Sequence, residues 1–339
     1  MMQDYLVIIL PLVCAVVIAF GIFVYVLLDG FDLGLGLLFL TAPSDAARDR
    51  MMRSVAPVWD GNETWLVLGG AALFAAFPLA YAVILPALYL PLVLMLIGLI
   101  LRGVAFEFRF KADTSRFWWD WAFAGGSLLA TAMQGVALGA FIQGFAVVDR
   151  HYAGGAFDWL TPFSILTAFA LIAGYTLLAC GWLIMKAEGE LLDWAYGQAE
   201  RALVTVVGFI LVVSLWTPLQ NAVVAARWFS WPNILMFSPV PIVTAAVVVA
   251  LYRALRLRHV YLPFLLTAAL FVLSYTGIAV SFFPYIIPPD ITIWQAASPP
   301  ETQSFLLVGL IPILPIILGY TAWNYYVFRG RVREGDGYH

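Results

Sequence analysis

The chain has 339 residues, of which 63% are apolar and 11% charged, with a formal net charge of −3. A water-facing domain carries roughly 25% charged residues, and no basic excess is available to hold a polyanion. Soluble enzymes, disordered chains and nucleic-acid binders are therefore excluded, and a polytopic membrane protein remains.

A membrane-crossing helix needs about 20 mostly apolar residues. Nine such runs occur, at 6–40, 57–77, 79–101, 119–146, 161–185, 202–224, 233–252, 262–283 and 305–328. They are continuously apolar, without the two-residue alternation of barrel strands, so helices are expected. The flank before the first run, Met-Met-Gln-Asp-Tyr, holds no Lys or Arg, and the run is read as a retained span. Gly30, Gly34 and Gly36 give this long first run places to tilt or break. A Pro-rich connection at 284–304, containing Trp294, is expected to lie at the headgroup level or to cover a partner.

The cations alternate between the loops. With the N-terminus outside, the inner segments hold Arg48, Arg50, Arg53, Arg102, Arg109, Lys111, Arg116, Lys186, Arg201, Arg253, Arg256, Arg258, Arg329, Arg331 and Arg333. Only Arg150 and Arg227 fall outside. This asymmetry predicts nine spans with the C-terminus in the cytoplasm. A loose echo between Asp29-Gly30-Phe31-Asp32-Leu33 and Glu188-Gly189-Glu190-Leu191, and between Trp59/Asn62 and Trp216/Asn221, suggests two four-helix halves and a ninth helix. The expected organisation is 1–150 as one bundle, 151–290 as a second, and 291–339 as outer loop, last helix and cytoplasmic tail.

Ionisable groups inside spans cost roughly 2.5–3.5 kcal/mol each on insertion scales, so their placement carries information. Asp29 and Asp32 come late in the first run, Asp60 and Glu63 early in the second, Arg102 at the end of the third and Asp120 at the start of the fourth. The alternating direction of the runs brings all six to one inner level. Asp29/Asp32 and Asp60/Glu63 are spaced three apart, near one helical face. Two readings compete: an ion-pair network that fixes the bundle with the remaining acids at the interface, or, because five acids exceed one arginine, carboxyls that share protons as in a relay, which the count favours. Within that group Asp32, Arg102 and Asp120 are expected to pair. Trp118, Trp119 and Trp121 read as an interfacial belt around Asp120.

Other polar residues have plainer readings. Gln134 in Met133-Gln134-Gly135 is expected to bond between helices. Cys14 and Cys180 read as small core residues, and two cysteines cannot build a disulfide framework or a four-cysteine metal site. His151, His259 and His339 fall in loops or at the terminus, and no Cys-x-x-Cys-His segment is present. Any haem must then be ligated by another chain. A proton-coupled transporter would also use intramembrane acids and broken helices, although usually at the midplane.

Several segments resemble subunit II of cytochrome bd-type ubiquinol oxidases, including the cyanide-insensitive branch. They are Asp29-Gly30-Phe31-Asp32-Leu33-Gly34-Leu35-Gly36, Trp59-Asp60-Gly61-Asn62-Glu63-Thr64-Trp65-Leu66, Leu101-Arg102-Gly103-Val104-Ala105-Phe106-Glu107-Phe108-Arg109, Trp119-Asp120-Trp121, Phe283-Pro284 with Trp294, and Tyr320-Thr321-Ala322-Trp323. The resemblance implies a multi-pass subunit of the bacterial inner membrane that is not catalytic alone. Its partner would be a haem-bearing subunit I, carrying haems b and d or b only, that oxidises quinol and reduces dioxygen to water. By the same resemblance Asp29, Asp32, Asp60 and Glu63 are proton-path candidates. Asp32, Arg102 and Asp120 would support the partner's haem region. Trp59 and Trp65 flank the acids, and Trp65 would border a dioxygen route or simply pack. Family members can also hold a structural quinone or lipid in this subunit.

Overall fold

A computed structural model describes residues 2–332, with side chains from residue 6 onward. His339 and Arg333 lie outside the described residues. The helices are α1 (Met2–Phe39), α2 (Asp45–Val55), α3 (Trp59–Ala76), α4 (Pro78–Ala87), α5 (Tyr89–Arg109), α6 (Arg116–Gln143) and α7 (Pro162–Lys186). They continue as α8 (Glu190–Gln220), α9 (Ala222–Phe229), α10 (Asn233–Phe237), α11 (Pro239–Arg256), α12 (Leu262–Phe282), α13 (Ile293–Ala296) and α14 (Pro300–Val327). Two small antiparallel hairpins pair β1 (Val147–Val148) with β2 (His151–Tyr152), and β3 (Tyr285–Ile287) with β4 (Ile291–Thr292).

Among the described residues eight helices are long and apolar enough to cross a membrane: Leu6–Phe39, Tyr89–Arg109, Arg116–Gln143, Pro162–Lys186, Glu190–Gln220, Asn233–Arg256, Leu262–Phe282 and Pro300–Val327. The protein is thus a mostly helical, multi-pass membrane protein. The second expected run is helix α3, of 18 residues. Its first turns carry Asp60, Asn62, Glu63 and Thr64, which keep it out of the strongly apolar set.

The structure departs from three expectations, each for a local reason. The third run breaks at Leu88, between α4 and α5, where Pro86 and Pro91 interrupt the backbone bonding. Its membrane helix begins at Tyr89 and runs on to Arg109, because the charges at its end are paired by neighbours. The sixth run starts earlier, at Glu190, with a polar first turn after Gly189 in the left-handed region (φ 62°). The first run does not break at its glycines: α1 is continuous through Phe39.

Those glycines serve packing instead. A Cβ on Gly34 would lie 2.0 Å from the Tyr175 carbonyl oxygen, so only glycine lets α1 and α7 approach this closely. Gly98 and Gly126 do the same for α5 and α6, each facing the other's carbonyl. In lipid, helices associate through such small-residue contacts because burial of apolar surface supplies no preference.

Helix α1 packs on α3, α6 and α7; α5 packs on α6, and α6 on α7. A further group forms from α7, α8, α11 and α12, while α14 lies along α1 and α3. The main core runs from Phe31 and Phe39 of α1 through Met51 and Met52 of α2 to Leu178 and Trp182 of α7. Helix α2 closes one end of this assembly, capped by Ser44, whose Oγ accepts from the Ala47 amide at 3.2 Å.

The Pro-rich connection covers the opposite end. Ile287, Ile293 and Ala296 are buried there, the Ser298 amide donates to Ala76 O at 2.9 Å, and Trp294 Nε1 donates to Ile8 O at 3.1 Å. This segment covers the chain's own helices α1 and α4.

Candidate functional site

The intramembrane charges form two groups, not the single network expected from Asp32, Arg102 and Asp120. The deeper group is built by α1, α3 and α5. Arg102, fully buried, donates from Nη1 to Asp29 Oδ1 at 2.5 Å and from Nη2 to Glu63 Oε2 at 3.1 Å. Asp29 is also fully buried, whereas the Glu63 side chain is 29% exposed. Glu63 therefore connects a buried ion pair to the protein surface.

Asp32 takes a different partner. Asn62 Nδ2 donates to Asp32 Oδ2 at 2.7 Å, and Tyr325 of α14 donates to Asn62 Oδ1 at 2.8 Å. The other carboxyl oxygen of Asp32 is buried and has no hydrogen-bond partner among the described residues. A buried oxygen left unpaired is costly, and Asp29 Oδ2 is a second such atom in this group. Asp60, one helical turn before Glu63, is exposed on α3.

Tryptophan placement frames the group. Trp59 stacks on Phe106 with ring centroids 4.9 Å apart, and the Arg102 guanidinium lies 6.0 Å from the Trp59 ring. Trp65 is buried and meets Phe20 edge-on at 6.1 Å. On the far side of Asp29, Gln134 receives the Tyr175 hydroxyl and donates to the Tyr25 hydroxyl, both at 2.8 Å. This bears out Gln134 as a bond between helices, and it extends the polar line from α1 to α7.

The second group lies at the α2 end. Asp120 does not meet Arg102. It accepts from Arg109 Nε in a short contact and lies 3.6 Å from Arg48 Nη1. Arg109 also donates to Asp49 at 2.7 Å, and Arg116 closes on the same Asp49 oxygen. Arg102 and Arg109 are two helical turns apart on α5, about 10 Å along its axis, so one guanidinium cannot serve both levels. Burial alone would raise the Asp49 carboxyl, but the hydrogen bonds and charges of Arg109 and Arg116 outweigh it and hold Asp49 below its ordinary value.

Reading the sequence by residue type counted Arg48 and Arg109 as loop cations and missed that they are the partners of Asp120. Asn62 and Tyr325 were likewise missed as partners of Asp32. The signal for Arg109 was its seven-residue spacing from Arg102, which places both on one face of α5. Nothing local marks Tyr325, which comes from the other end of the chain.

The histidines and cysteines among the described residues lie apart from one another. His151 is exposed in the β1–β2 hairpin and His259 in the loop before α12, and His259 gives only its backbone oxygen to Tyr196. Among the described residues no group of His, Cys, Asp and Glu is arranged to hold a metal ion. Cys14 and Cys180 are buried and free.

Comparison with known proteins identifies the family. The family model described as cytochrome bd terminal oxidase subunit II matches residues 10–328. The chain is 33% identical to cytochrome bd-I ubiquinol oxidase subunit 2 of Escherichia coli (strain K12), covering 91% of each chain. It is 29% identical to cytochrome bd ubiquinol oxidase subunit 2 of Bacillus subtilis (strain 168), covering 91% of this chain and 93% of that one. Its fold is similar to a chain in the structure of bd oxidase from Geobacillus thermodenitrificans, with a TM-score of 0.75 at 18% identity over 94% of this chain and 98% of that one. A component of an oxidoreductase complex, in place of a free-standing transporter, is the reading these matches carry, and the chain belongs to the cytochrome bd terminal oxidase subunit II family.

Proposed function

We propose that this chain is the non-haem subunit of a quinol:dioxygen oxidoreductase of the bacterial inner membrane. It stabilises a haem-bearing subunit I and carries cytoplasmic protons toward the site where that partner reduces dioxygen. Quinol oxidation and the haems, b and d or b only, belong to the partner. The observation that carries the reading is the graded line from exposed Asp60, through half-buried Glu63, to the fully buried Arg102–Asp29 pair and Asp32. A structural network alone has no need of a limb that reaches the surface.

In this reading the protein crosses the membrane nine times, with α3 as a span, the N-terminus outside and the α2 end in the cytoplasm. The cation asymmetry of the loops supports that orientation. The surface carboxyls collect protons, and Arg102 keeps the line from trapping them by holding Asp29 as its counter-ion. Asp32 and Asp29 each have one oxygen unpaired among the described residues, but of the two only Asp29 has Arg102 in direct contact, so Asp32 is the group placed to accept a proton. The Asp120–Arg109–Asp49 group anchors α2, α5 and α6 and carries no proton. Residues 1–150 form the proton-handling bundle, 151–290 a supporting bundle, and 291–339 the cover and last helix. Trp65 packs against Phe20 and serves as core.

Replacing Asp60 by Asn tests the reading in the assembled complex. Quinol oxidase turnover falls by about tenfold, or about 1.4 kcal/mol on the barrier, while subunit composition and the haem spectrum stay native. Loss of assembly or haem with unchanged turnover per haem would make Asp60 structural and overturn the proton role.

A further inference from the structure

We propose that the end of the molecule opposite α2 holds one anionic phospholipid, with its phosphate on Arg227 and an acyl chain in the adjoining groove. The groove has a volume of about 590 Å³ and runs between α10 and the last turn of α12. Phe237, Ala279, Val280 and Phe283 make it apolar, and Arg227 and Asn233 supply its polar lining.

Arg227 is held in place before any ligand arrives. Asn221 caps α9 by accepting from the Val223 and Val224 amides at 3.1 and 3.2 Å. The next residue, Trp228, donates from Nε1 to Ser281 Oγ of α12 at 2.8 Å. Arg227 Nη1 then donates to Val280 O at 2.9 Å and to Phe283 O. These carbonyls end α12, where a cation is favoured by the helix dipole. Both bonds use one nitrogen, and among the described residues no carboxylate pairs with the guanidinium.

The position is that of a lipid headgroup. Helix α12 crosses the membrane and ends at Phe282, so Arg227 stands where a span meets water. Trp231, 76% exposed, lies four residues on, as interfacial tryptophans do. A guanidinium with free donors binds a phosphate in a fork, and the apolar groove beside it takes hydrocarbon. A neutral quinone would leave the charge unmatched, and free phosphate would leave the groove unfilled.

The test uses the purified complex with its partner subunit, washed with detergent and examined by native mass spectrometry for retained lipid. Phosphatidylglycerol, phosphatidylethanolamine and inorganic phosphate are then added back separately. The native complex retains phosphatidylglycerol about fivefold better than phosphatidylethanolamine, and Arg227→Gln loses that preference. Ala279→Trp fills the groove, leaves the Arg227 contacts in place, and lowers phosphatidylglycerol retention by a similar factor, about fivefold. That second variant decides the matter if Arg227→Gln fails to assemble. Unchanged retention in Ala279→Trp, equal binding of the two lipids, binding of inorganic phosphate alone, or a quinone retained in the lipid's place would each overturn the proposal.

Discussion

Replacing Arg102 by Met removes the one cation of the deeper group while nearly keeping its volume, so the effect is electrostatic and not a cavity. Asp29, fully buried and 2.5 Å from the guanidinium, loses its counter-ion. Breaking one side of a buried pair costs about 3–5 kcal/mol, because the remaining charge stays out of water. Glu63 is 29% exposed and can turn to solvent, so its lost contact adds only about 1 kcal/mol or less. Removing both members with Arg102→Met and Asp29→Asn is milder than the sum of the single changes, since no uncompensated charge remains. A double-mutant cycle on the purified complex, unfolded in mixed detergent and followed by tryptophan fluorescence, should give a coupling of about 2–3 kcal/mol. The matching cycle with Asp120→Asn should be additive with Arg102 and coupled with Arg109, because Asp120 sits on Arg109. Additive behaviour of Arg102 with Asp29, or strong coupling of Arg102 with Asp120, would refute the two-group arrangement.

Two further predictions address packing and acid sensitivity. Gly34→Ala forces a Cβ to 2.0 Å from the Tyr175 carbonyl, so α1 and α7 must separate, costing about 1–3 kcal/mol in thermal unfolding of the complex; an unchanged melting temperature would contradict the close approach. Asp49 has a native value held below the ordinary 3.8, so its ion pairs contribute fully above that pH and are lost as acid titrates it through the lowered native value. Asp49→Asn should therefore destabilise by about 1 kcal/mol at neutral pH, and the gap to the native protein should close well below pH 3.8. An equal gap at both pH values would remove Asp49 from the acid response.

The membrane class and most helices were legible because lipid demands long apolar runs and helical bonding. Boundaries were legible only where hydropathy changed sharply. Leu88 was missed because Pro86 and Pro91 lie in sequence that remains apolar, and Glu190 because a polar turn outside the bilayer still propagates the helix. The acids themselves were found from their cost inside a span. Their pairing was not, since distance along α5 decides whether Arg102 or Arg109 meets Asp120. Tyr325 reaches Asn62 from 263 residues away, a contact that tertiary packing alone creates.

The central claim is that protons pass through the α1–α3–α5 group, and Asp32→Asn tests it most directly. The amide keeps the size of the carboxyl and can still accept from Asn62, but it cannot take up a proton. Steady-state quinol oxidation and proton uptake by the assembled complex, normalised to haem content, should both fall by about tenfold or more, equal to about 1.4 kcal/mol on the barrier, with haem spectra unchanged. Native turnover and proton uptake in that variant would contradict the account and leave these buried carboxyls a purely structural role.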